Sequence, residues 1–173
     1  MPTLADPKRL AILKALSASM EAISGPDDGY EYDLRPTAEV PRRVFRGRVL
    51  FGDDDPIPML SILESPVPPE QGSSAYDNQT GHGDWELILQ GWVDDDRSDP
   101  TDPAHFFLAD VKRRLAFEKG RAREENILGL GHDHVVALNF GAGVVRPPDE
   151  VSAKAYFWLN ITLNIVENWA CPR

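Results

Sequence analysis

Near the start of the chain Leu10, Leu13, Leu16, Met20 and Ile23 recur at the spacing of one helix face. This pattern predicts a helix over residues 7–23, with Asp6 as cap, Pro7 at the first helical position and Ser24-Gly25-Pro26 as the stop. Residues 27–41 carry Tyr30, Tyr32, Pro36 and Pro41 without a clean period, which describes an extended connection.

Residues 43–51 then alternate, Phe45, Val49 and Phe51 on one side against Arg46 and Arg48 on the other, the pattern of a half-exposed strand. Gly52-Asp53-Asp54-Asp55-Pro56 reads as a turn, and residues 57–63 as a second apolar run forming a hairpin or an adjacent strand with the first. Between residues 65 and 83 the prolines, glycines and serines leave little to bury, so a long flexible loop is expected there.

Residues 85–93 form the next strand, apolar on both sides and so placed centrally in a sheet. Asp102-Pro103 opens a second helix whose buried stripe is Ala104, Phe107, Leu108, Val111 and Leu115, with Lys112, Arg113 and Arg114 at wetter positions. Lys119, Arg121 and Arg123 add positive charge where the helix dipole favours it. A strand over residues 134–140 precedes Gly141-Ala142-Gly143, and the last strand is the clearest: Phe157, Leu159, Ile161, Leu163 and Ile165 alternate with Trp158, Asn160, Thr162 and Asn164. The order predicts one α+β domain over residues 1–173, a mixed, largely antiparallel sheet of about four to five strands flanked by two main helices.

Composition narrows the function classes. A length of 173 residues, 42% of them hydrophobic, suits one core-bearing domain. The formal charge of −10 argues against binding phosphate backbones, which needs a basic surface. A single cysteine, Cys171, permits no internal disulfide and no cysteine-based metal site, and a reducing compartment follows as the simpler setting. The first residues do not read as a secretory signal and nowhere is there an apolar run of membrane-spanning length, so neither export nor membrane insertion is expected.

No cluster of residues adds up to a catalytic set. His132-Asp133-His134 has metal-pair spacing, but with only His82 and His105 elsewhere the polar start of a strand is the better reading. Gly81-His82-Gly83-Asp84 has no serine or cysteine in a nucleophile setting beside it. The glycine pairs around Leu130 and Ala142 lack the strand-turn-helix surroundings of a phosphate loop. Asp53-Asp54-Asp55 and Asp94-Asp95-Asp96 lack the spacing of a calcium loop and read as solvated turns. Neither catalytic residues nor a cofactor or metal is therefore expected. Arg42, Arg43, Arg46 and Arg48 form either a patch for a partner's carboxylates or a solvated face. Trp158, on the polar side of the last strand, is the best candidate for a buried subunit contact.

Ile62-Leu63-Glu64-Ser65-Pro66, the strand Trp85-Glu86-Leu87-Ile88-Leu89-Gln90-Gly91-Trp92, Pro100-Thr101-Asp102-Pro103-Ala104-His105 and Asp110-Val111-Lys112-Arg113-Arg114-Leu115 resemble segments of the tail terminator proteins of long-tailed bacteriophages. The likeness is strongest over residues 43–115 and elsewhere rests on element order. It implies a structural virion protein of the head-tail junction, assembled in the host cytoplasm. As a homo-oligomeric ring, a hexamer in that family, it would cap the tail tube protein, stop tube growth and offer a docking surface to the head-side connector while DNA passes through without specific binding. Arg46 and Arg48 would then meet a neighbour's acidic groups, and the 65–83 loop, with Tyr76 and His82, would reach the tube or connector; Trp158 and Asn160 complete the interface candidates. Another head-tail joining protein, such as a neck or tail-completion protein, is the nearest alternative. A small metal-dependent enzyme using His132 and His134, and an unrelated monomeric structural domain, are the others.

Overall fold

Two fourteen-residue strands, paired antiparallel along their whole length from Thr80↔Asn168 to Val93↔Ala155, form the spine of the computed structural model. At about 3.3 Å per residue each runs roughly 46 Å. The structure describes residues 5–52, 54–66, 71–73, 79–121, 127–131, 133–150 and 152–171. In chain order the elements are α1 (Lys8–Glu21), β1 (Val44–Arg46), β2 (Met59–Glu64), β3 (Gln71–Ser73), β4 (Thr80–Val93), α2 (Asp102–Gly120), β5 (Val135–Phe140), β6 (Val144–Arg146) and β7 (Ala155–Asn168). The sheet order is β1-β2-β4-β7-β5, with β3 added to β4 and β6 to β7. The α+β layout and the central position of the Trp85 strand are as expected from the sequence.

The seven strand segments exceed the four to five expected, and the excess has local causes. β6 is only three residues long, too short to show a period. β3 lies inside the stretch expected to be a flexible loop. There Gln71 pairs with Gly83 and Ser73 with Gly81, so one end of that stretch is a β-ladder. Residues 67–70 and 74–78, Tyr76 included, lie outside the described residues. Trp169 packs over Gly81: a Cβ there would sit 2.1 Å from Cζ2 of the Trp169 ring, which would have to move aside.

The strand expected over residues 43–51 shrinks to Val44–Arg46, and its partnership with β2 is parallel rather than a hairpin. A parallel pair needs a connection long enough to return to the starting end, and residues 47–58 supply it. Helix starts differ as well. Pro7, not Asp6, occupies the cap position of α1, and Asp6 instead takes an ion pair from Lys14 at 2.6 Å. Asp102 is the first helical residue of α2, placed where the dipole favours a carboxylate, with Thr101 before it.

Both helices cover the same side of the sheet. Odd-numbered residues of β4 and β7, including Trp85, Leu87, Leu89, Phe157, Leu159 and Ile161, meet Ile12, Leu16 and Met20 of α1 and Phe107, Val111 and Leu115 of α2. Phe107 is the hub, 5.3 Å from the Phe157 ring and 5.2 Å from that of Tyr32. Gly91 makes room for it: a Cβ there would lie 2.4 Å from Cε1 of Phe157 and 2.9 Å from Cε1 of Phe107.

Two carboxylates lie buried on α2. Asp110 accepts backbone N–H bonds from Glu31 and Tyr32, both 2.9 Å, and so pins the 30–34 connection to the helix; burial raises its pKa. Glu118, 1% exposed, accepts from the Ser19 hydroxyl of α1 at 2.8 Å and pairs with Arg114 at 2.7 Å and Arg121 at 3.3 Å. Glu118 sits in phase with the predicted apolar stripe, the available signal for its burial, whereas Asp110 lies beyond the edge of that stripe and is covered by the 30–34 connection.

Candidate interaction surface

Period-two alternation turns the even-numbered residues of β4 and β7 to the side without helices. His82, Trp158 and Asn160, three of the interface candidates, share this open face. Trp158 stands opposite Gln90, Asn160 opposite Ile88 and His82 opposite Val166. Asp84 and Glu86 lie on it too; the Asp84 carboxylate accepts from the Asn164 amide at 2.9 Å, and Glu86 is exposed.

One end of the face is apolar. Met59, Trp92 and Tyr156 are buried there with Phe45, Phe51, Ile57 and Trp158 packed against them, a cluster separate from the main core. The connection from β1 to β2 forms its roof, Phe51 lying 4.2 Å from Trp92 between ring centroids. Arg48 holds that roof in place. Its guanidinium lies 4.6 Å and 4.7 Å from the Phe45 and Phe51 rings and pairs with Asp55 at 2.7 Å, while its carbonyl accepts from Ser61 Oγ at 2.6 Å. Asp55 also accepts the Gly52 N–H, and this bond together with Arg48 lowers its pKa.

Arg48 is therefore engaged within its own chain. Of the other arginines of the sequence cluster, Arg43 donates to the Pro58 carbonyl at 3.1 Å, and Arg42 shares the Phe45 ring with Arg48, 6.0 Å from its centroid. Arg46 sits half-buried at the end of β1. Beyond the roof, Val49 and Leu50 project at 63% and 82% exposure. They border a recess of about 200 Å³ floored by Met59, Trp92 and Tyr156 and edged by Gln90 and Lys154. Neither its shape nor the spacing of 43–51 revealed this recess, because it forms between β4, β7 and a connection distant in sequence.

The Tyr156 hydroxyl donates to Asp149 at 2.8 Å, and burial raises its pKa. The acidic turn after β4 is a structured surface turn. Asp94 pairs with Lys154 at 2.5 Å, and Asp96 accepts the Ser98 and Asp99 N–H groups, which lower its pKa. Of the histidines, His82 and His105 are exposed on opposite layers and His132 lies outside the described residues. His134 is half-buried, its Nδ1 without a hydrogen-bond partner among the described residues, and burial lowers its pKa. No group of three metal-ligating side chains comes together among the described residues. The open face is thus aromatic at one end and carries Asp84 and Glu86 along the middle.

No family model matches the chain, and no curated protein matches it.

Proposed function

We propose that this protein is a subunit of a homo-oligomeric ring, a hexamer, that caps the tail tube of a long-tailed bacteriophage, ends tube growth and presents a docking surface to the head-side connector. The observation that carries the reading is the open face of the β4–β7 pair, a long sheet surface left without helices and carrying half-buried Trp158 beside its roofed apolar end. Aromatic side chains at the edge of a polar field are what subunit contacts are built from. The resemblance over residues 43–115 supplies the partners. The charge of −10 supports passage of DNA through the ring, since a negative wall does not retain phosphates.

The mechanism is mechanical. Each copy uses surface complementarity, and no bond is made or broken. Electron microscopy of the purified protein mixed with tail tubes checks it: density at one end of each tube, with shorter tubes when the protein is present during assembly, is the expected outcome. Tubes that grow to the same length with bare ends would overturn the reading.

A further inference from the structure

We propose that copies of this chain associate head to tail, the flank of α2 that carries Lys112 and Lys119 in one copy seating on the open β4–β7 face of the next. The inference rests on the ring reading above and names the surfaces that would close the ring.

Charge sign carries the argument. β4 and β7 contain no lysine or arginine, and their open side carries Asp84 and Glu86. The carboxylates of α2 are withdrawn from its outer face: Asp110 and Glu118 are buried, which leaves Asp102 at the N-terminal end as the exposed one. The cations remain outside. Lys112 Nζ donates to the Ala142 carbonyl and Lys119 Nζ to Asn139 Oδ1 at 3.0 Å, neutral oxygens, and among the described residues neither lysine has an ion-pair partner. In a chain with net charge −10, this part of α2 is thus basic and the middle of the open face acidic, with Arg146 over the Trp158 ring as the cation at the apolar end of that face.

Spacing fits the same pairing. His105, Lys112 and Lys119 recur every seventh residue, and the exposed Ala109 and Ala116 lie between them. Small residues between cations let a helix approach a flat sheet closely while its lysines reach outward to carboxylates. Phe106, 59% exposed beside this stripe, supplies an apolar counterpart to Ile88 and Trp158. A symmetric face-to-face dimer is disfavoured by the same charges, because it would place Asp84 and Glu86 of two copies against each other. Contact between two different faces repeats from copy to copy and closes into a ring when the rotation allows.

Two double variants test this, Asp84→Lys/Glu86→Lys and Lys112→Glu/Lys119→Glu, with association followed by sedimentation and native mass spectrometry up to millimolar protein. Each variant alone should associate at least about tenfold more weakly than the unaltered chain. An equimolar mixture of the two should recover assemblies larger than a dimer with alternating composition, and a variant carrying all four changes should self-associate. That recovery also shows that the variants fold. Carbodiimide coupling of the unaltered chain should join Lys112 or Lys119 to Asp84 or Glu86. A chain that stays monomeric at millimolar concentration overturns the inference, as does a Lys112→Glu/Lys119→Glu variant that associates normally, or a mixture that stops at a dimer. Rings that ignore the charge changes yet cap tubes would remove this pairing and keep the capping function; rings that follow the changes and leave tubes bare would do the reverse.

Discussion

The two sides of the β4–β7 pair are built from alternate residues of the same strands, yet one is sealed by helices and the other, among the described residues, is covered only at one end. Trp85 and Phe157 point into a core completed by two helices, whereas Glu86 and Trp158, their immediate neighbours in the chain, face outward. The difference shows where stability and recognition reside. Helices cover the side that holds the fold together, and the side left open keeps its apolar surface at one end under a short connection held by Arg48 and Asp55.

The largest effect belongs to the sealed side. Phe107→Ala removes the ring between Phe157 and Tyr32 and should cost about 3–5 kcal/mol in urea unfolding. A loss under about 1 kcal/mol would mean that the helix layer is not the core. Glu118→Ala removes the buried carboxylate that ties Arg114, Arg121 and the Ser19 hydroxyl together where α1 meets α2, and should cost about 3 kcal/mol by the same measurement. On the open side Trp158→Ala should cost only about 1 kcal/mol of stability while abolishing tube capping in electron micrographs. Equal loss of stability on both sides would erase the comparison.

Smaller effects sharpen it. Burial raises the Tyr32 phenol from 10.0 to about 12, so below pH 10 it is neutral in both folded and unfolded chains. Between those values the unfolded chain ionises first, and stability should fall as pH rises. Tyr32→Phe should flatten that alkaline decline in a pH series of thermal melts. Lys154→Ala, which removes the exposed pair with Asp94, should change the unfolding free energy by no more than about 0.5 kcal/mol.

Alternation and helical spacing made β4, β7 and both helices legible because each contains enough residues to display its period. Residues 155–156 and 166–168 of β7 were missed at its ends, where buried Tyr156 and half-buried Val166 break the simple apolar-polar alternation. The pairing of β1 with β2 was beyond reach, since the direction of a three-residue strand depends on where its connection runs. Trp158 and Asn160 could be placed on one face by counting. Arg48 could not be placed: its charge suggested a partner's carboxylate, but Asp55, seven residues along, was close enough to take it. Glu118 was disguised by residue type although its phase put it on the buried stripe, and Asp110 is buried only because a connection distant in sequence covers it.

Gly91 leaves a mark on how this sequence can change over generations. With the rings of Phe157 and Phe107 already in the space of its missing side chain, even alanine must wait until a ring opposite has become smaller. Shrinking either ring first opens a void in the core and weakens the fold, so both routes begin with a loss. Descendants of this chain should therefore alter position 91 together with position 157 or 107, and a lineage with alanine at 91 beside two intact phenylalanines would have had to move the strand itself.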